Sequence, residues 1–104
     1  ERFDDYPRLG SLVGYIALHS IAKAIETAGT PEVEAVIDAL RGLGVETPIG
    51  TVTYREIDQQ SDMGAFVGRL TVENGMPRMV DWRFAPGSDY LPDDERVRAL
   101  QAGE

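Results

Sequence analysis

Apolar and polar positions change period once along this chain, near Pro48. Before it, from Ser11 to Ala28, the spacing predicts a helix closed by Gly29. His19, Lys23, Glu26 and Thr27 share one narrow polar stripe. Leu12, Val13, Ile16, Ala17, Leu18, Ile21, Ala22, Ala24 and Ile25 cover the rest of the circumference. An apolar arc that wide needs covering from more than one side. A second helix is expected from Thr30, with that threonine as its cap and Pro31 in the first helical position. Val33, Val36, Ile37 and Leu40 form its apolar face, and Gly42 and Gly44 end it. The two helices read as an antiparallel hairpin with a short connection.

Beyond Pro48 the pattern alternates. Thr51–Arg55 reads as a strand with Val52 and Tyr54 on one face, followed by an irregular polar stretch from Glu56 to Gly64. Ala65–Val72 and Arg78–Phe84 read as two strands joined at Asn74-Gly75, a dipeptide suited to a type I′ turn. Val80, Trp82 and Phe84 alternate with Asp81 and Arg83, which predicts one buried face. Pro92, Asp93 and Asp94 open a short terminal helix through Val97 and Leu100. The lead-in Glu1–Gly10, with Pro7, reads as irregular, and no repeat or low-complexity tract is present.

Three strands and a helix apolar on nearly every side leave more surface than 104 residues can cover. Either the chain is a stretch of a larger α/β protein, or it completes itself by homodimerisation or strand exchange. The first reading is the one adopted. Glu1 in place of a start methionine fits it.

Composition narrows the chemistry. A net charge of −8 disfavours nucleic acid and anionic membranes as partners. With no cysteine, thiol nucleophiles, disulfides and zinc ribbons are excluded, and no apolar run reaches membrane-spanning length. His19, the only histidine, has no carboxylate one turn on and reads as a solvated helix residue. Asp4-Asp5 and Asp93-Asp94-Glu95 lack the spacing of a calcium loop, and the second run is explained by helix capping. Neither a P-loop nor a strand–GxGxxG–helix unit occurs. No metal site, cofactor or catalytic residue is expected, and Tyr54 and Trp82 read as core aromatics. Gly10 and Gly14 bracket the start of the first helix. They mark the chain's entry into the helix, or a helix N-terminus able to meet a ligand carboxylate.

The order of several short motifs is informative together. Pro7-Arg8-Leu9-Gly10-Ser11-Leu12-Val13-Gly14-Tyr15 leads into a helix ending Ala24-Ile25-Glu26-Thr27-Ala28-Gly29. Thr47-Pro48-Ile49-Gly50-Thr51-Val52-Thr53-Tyr54-Arg55, Asp58-Gln59-Gln60-Ser61, Gly64-Ala65-Phe66-Val67-Gly68 and Tyr90-Leu91-Pro92 follow. This order resembles the C-terminal part of the leucine/isoleucine/valine-binding family of periplasmic substrate-binding proteins. The resemblance implies a fragment of the two-lobed type I periplasmic-binding-protein fold: a helical hairpin, a strand, a β-hairpin and a short C-terminal helix.

It further implies a non-enzymatic solute-binding component of an ABC importer for amino acids, amides or related small organic solutes. Such a protein works outside the cytoplasm, periplasmic or lipid-anchored, and partners a membrane permease. Residues 1–56 would belong to the N-terminal lobe, 57–63 to a hinge crossover and 64–104 to the C-terminal lobe, with Ile57, Asp58 and Gln59 in the hinge. In leucine-binding members an aromatic side chain before the first helix packs on the ligand. Its nearest counterpart here is Gly10, with Ser11 beside it, and the missing ring leaves room for a bulkier solute. Members with this signature often carry histidine where Gln59 stands, a position read as structural. The alternatives are a free-standing dimerising interaction module and a ligand-sensing domain of the same fold.

Overall fold

The computed structural model describes residues 8–103, which form two compact units divided between Gln59 and Gln60. The expected irregular stretch of residues 1–7, with Asp4-Asp5, lies outside the described residues.

The first unit is built on α1 (Leu9–Ala28). The helix starts two residues before the expected Ser11, because Arg8 is extended (φ −98°, ψ 169°) and already accepts from the N–H groups of Ser11 and Leu12 through its carbonyl. Gly29 closes it in the left-handed conformation (φ 68°), its N–H donating to Ile25 O. Of the wide apolar arc only Ile16 and Ala24 are buried, on an i, i+4, i+8 stripe completed by Ser20. Leu18 remains 71% exposed and Ile21 49%.

Against α1 pack α2 (Val33–Leu40) and β1 (Gly44–Thr47), and β1 pairs antiparallel with β2 (Gly50–Thr53). Val45 faces Val52 across this hairpin, and both are buried. They supply the apolar floor of the unit.

Three expectations are corrected here. Thr30 does not cap α2. The cap position is Glu32, without a side-chain bond, and Thr30 Oγ1 accepts from Glu32 N–H in a local turn (3.3 Å). Val33 opens the expected apolar face but is 68% exposed, while Val36, Ile37 and Leu40 are half-buried. Finally, Gly44 begins a strand where it was read as a helix stop. With one apolar residue in four, β1 has too little alternation to announce itself; its pairing with β2 defines it. Thr47 shapes the connecting turn, its hydroxyl donating to Gly50 O (2.6 Å) and accepting from Ile49 N–H (3.2 Å).

The second unit contains β3 (Ala65–Glu73) and β4 (Met76–Ala85), paired antiparallel, then a 3₁₀ turn at Gly87–Asp89 and α3 (Asp94–Ala102). Asn74 and Gly75 both have positive φ (53° and 76°), as a type I′ turn demands. Asp93 caps α3, its carboxylate accepting from Arg96 N–H (2.8 Å). Val97 is buried and Leu100 is 55% exposed.

The expected buried face of β4 is corrected as well. Val67 pairs Arg83 and Arg69 pairs Val80, so Gly68 stands opposite two residues, Asp81 and Trp82. This is a β-bulge, with Asp81 in the left-handed region (φ 50°). The extra residue resets the alternation, moving Val80 to the face opposite Trp82 and Phe84. Phe66, Gly68, Leu70 and Val72 line the latter face with Pro77, Met79, Trp82 and Phe84. Trp82 meets Phe66 edge-on at 5.5 Å and Phe66 meets Phe84 at 5.2 Å, yet Trp82 is 60% exposed and Leu70 78%. Gly68 is required by this packing: a Cβ there would lie 2.7 Å from Met79 Cγ and 2.9 Å from Trp82 Cβ.

Candidate functional site

The start of α1 adjoins a largely apolar cavity of the first unit. Arg8 places no side-chain cap on the helix, and no acidic residue occupies the first turn. The leading N–H groups of a helix have no intrahelical acceptors, and the macrodipole gives that end a positive potential. The electrostatics therefore favour an anionic group.

Beside this end lies a cavity of about 440 Å³ lined by Arg8, Leu9, Ser11, Leu12, Tyr15 and Pro48. Ser11 and Tyr15 are one helical turn apart, so the helix itself sets the hydroxyl and the ring on one wall. Pro48 comes from the β1–β2 turn. Leu9, Leu12 and the tyrosine ring make the lining largely apolar, and Ser11 adds a hydroxyl. An apolar pocket with a few convergent polar groups is the usual form of a small-molecule site. Among the described residues its lining is Arg8, Leu9, Ser11, Leu12, Tyr15 and Pro48, with no histidine or carboxylate.

Of the two residues expected to meet a ligand, Ser11 lines this cavity. Gly10 is exposed in the first turn of α1 and is not part of the lining. Tyr15, Leu12 and Pro48 were not singled out. The i+4 spacing from Ser11 could have found Tyr15, but Pro48 joins the wall only through the strand that sequence reading missed.

Ile57, Asp58 and Gln59, the expected hinge, fall in a half-buried turn at the end of the first unit. Gln59 N–H donates to Arg55 O (2.8 Å), and Arg55 Nε donates to Asp58 Oδ1 (3.1 Å). A second guanidinium nitrogen reaches the other Asp58 oxygen, completing a bidentate pair. Both side chains are about four-fifths buried, with 20% and 17% exposure.

Further along α1, Tyr54 O–H donates to Ser20 Oγ (2.8 Å) and Ser20 Oγ donates to Ile16 O (2.8 Å). This relay ties Tyr54, directly after β2, to the buried stripe of α1 and satisfies the only buried polar side chain among the described residues. Tyr54 is thus the expected core aromatic, with its hydroxyl partnered. His19 is exposed on α1 and stacks on Tyr15 at 4.2 Å. Among the described residues no group of three or more histidines and carboxylates is placed to hold a metal ion, and no helix is long and apolar enough to cross a membrane.

A family model described as periplasmic binding protein matches residues 1–75, and the chain belongs to that family. The family is one of extracytoplasmic solute-binding proteins, not a class of enzymes. Among solved structures, a crystal structure of an ABC-type branched-chain amino acid transporter from Rhodopseudomonas palustris CGA009 matches with a TM-score of 0.68 at 22% identity. The match covers 78% of this chain and 23% of that one, so the chain spans about a quarter of that protein's length. At this identity the match shows the fold: a mixed helix–strand portion of a periplasmic-binding-protein fold, as the sequence resemblance implied. No curated protein matches.

Proposed function

We propose that this chain forms part of the solute-binding component of an ABC importer for amino acids, amides or related small organic solutes. Its ligand-facing part is the first turn of α1. The observation that carries this reading is the N-terminus of α1, with no side-chain cap from Arg8 and no acidic residue in its first turn, beside an apolar cavity that includes Ser11. A carboxylate or amide oxygen is held by the helix end and the Ser11 hydroxyl, and the solute's apolar part rests on Leu12 and Tyr15. Gly10 contributes by bulk: lacking a side chain, it keeps the approach to the helix end open. The protein hands its solute to a membrane permease, with no chemical step.

In this reading residues 1–56 belong to one lobe, 57–63 to the crossover and 64–104 to the other lobe. Support comes from the division of the chain into two units between Gln59 and Gln60.

The test is a thermal-shift and calorimetric screen of the complete solute-binding protein with leucine, valine, urea, short amides and aromatic carboxylates. A binder of the folded state raises the melting temperature with concentration. Ser11→Trp, which fills the cavity, is expected to weaken the best binder at least roughly tenfold, about 1.4 kcal/mol. Turnover of the bound compound, or undiminished binding by Ser11→Trp, would overturn the proposal.

A further inference from the structure

Three non-glycine residues among those described have positive φ. Asn74 is explained by the β3–β4 turn and Asp81 by the bulge. Gln59, at φ 56°, has neither excuse. A long side chain in the left-handed region costs free energy and persists only where its surroundings enforce it.

Its surroundings are specific. The N–H of Gln59 closes a single helical turn onto Arg55 O, a position glycine usually fills. Glycine would relieve the backbone but could not do what the glutamine side chain does: its Nε2 donates to Ile37 O in α2 (3.1 Å). That carbonyl needs a partner. The N–H of Arg41, four residues on, turns instead to Asp38 O (3.2 Å) as the last turn of α2 tightens. Gln59 therefore caps α2 from 22 residues away in sequence. Two more bonds stitch the same ends together, Arg41 Nη1 to Glu56 O (3.2 Å) and Gly42 N–H to Tyr54 O (2.8 Å). The Arg55–Asp58 ion pair braces the turn from within.

We propose that Gln59 is a latch: it accepts a strained backbone in order to cap α2, so that residues 55–59 move with α2 as one body. They are the anchored end of the first unit, not a flexible joint. The bearing of this on lobe closure rests on the function proposed above; the latch itself does not, and its test uses no solute.

Hydrogen-exchange mass spectrometry on this chain reads it directly. Gln59→Met keeps the stem and the backbone penalty but removes the donor, whereas Gln59→Gly removes the donor and relieves the φ angle. Both are expected to speed exchange in the last turn of α2 by roughly two- to tenfold, the factor one hydrogen bond contributes. Gln59→Met is also expected to speed exchange over residues 56–59, with α1 amides unchanged. Should Gln59→Met fail to fold, Gln59→Gly still reports on α2, because glycine suits the backbone. Parent-like exchange in α2 for either folded variant, or acceleration spread equally over α1, would overturn the latch.

Discussion

The two units handle apolar side chains in opposite ways. The first closes a small core: Ile16, Ala24, Val45 and Val52 are each at most 5% exposed, and Ser20, the only buried polar residue among those described, both donates and accepts a hydrogen bond. In the second, only Ala85 and Val97 are buried among the described residues, while Phe66, Leu70, Val72, Met79, Trp82 and Phe84 stay substantially exposed on one face of the β3–β4 hairpin. Hydrophobic stabilisation follows area removed from water. Stability should therefore reside in the first unit, and the hairpin of the second should be held by backbone pairing, its turn and its bulge.

The largest expected effect tests the core. Val52→Asp places a charge where the parent side chain is 2% exposed, and it should cost more than about 3 kcal/mol. Far-UV circular dichroism would show the helical signal lost or its melting sharply lowered. The matched change, Trp82→Asp on the open face, should leave that melting within about 1 kcal/mol of the parent. Equal damage from the two would break the comparison.

Next in size is Gly68→Ala. Its Cβ would press on Met79 Cγ, Trp82 Cβ and Val80 O, at 2.7, 2.9 and 3.0 Å. Overpacking of this kind costs about 1–3 kcal/mol, here confined to the hairpin. Trp82 is the only tryptophan, so its fluorescence reports the hairpin alone. Its emission should change in Gly68→Ala while the circular dichroism of the helices holds.

How much of this was legible in the sequence depends on whether local or paired signals decide. The end of α1, the start of α3, the Asn74-Gly75 turn and the β3–β4 hairpin follow from local chemistry: Gly29 and Asp93 as caps, two residues that tolerate positive φ, and period-two alternation. The first strand could not be seen, because Gly44–Thr47 is a strand only through its pairing with Gly50–Thr53. The bulge was hidden for the same reason, since counting along β4 alone cannot reveal that Asp81 lacks a place in the ladder, and so Val80 was put on the wrong face. At the candidate site, Ser11 was legible through family resemblance and Tyr15 through helical spacing. Pro48 and the bond from Gln59 to Ile37 were not, because both depend on tertiary neighbours. The excess of apolar surface was correctly anticipated. Its distribution was not: α1 buries one stripe, and the hairpin hardly any.

Tyr54→Phe sharpens the comparison at an intermediate scale. It deletes the O–H that donates to Ser20 Oγ but leaves the ring in place. Ser20 keeps its own bond to Ile16 O, so no buried donor is orphaned. The loss should be about 1 kcal/mol, the net value of one hydrogen bond, and should appear as a lower denaturant midpoint with unchanged slope.

The smallest effect is expected where the second unit carries its most conspicuous polar contact. Arg69 Nε donates to Asp81 Oδ2 across the bulge (3.2 Å), but the two side chains are 72% and 69% exposed. Exposed ion pairs contribute little, because water screens them and two long side chains must be ordered to form them. Asp81→Asn keeps a residue that tolerates the left-handed backbone and removes the charge. It should shift the tryptophan-detected transition by no more than about 0.5 kcal/mol, with any shift fading in salt. Asp81→Val, by contrast, forces a β-branched residue to φ 50° and should cost more than the lost ion pair does. If the asparagine variant proved as damaging as the valine one, charge and not backbone conformation would be what holds the bulge. The second unit would then depend on a surface contact, where the structure gives it a local backbone device.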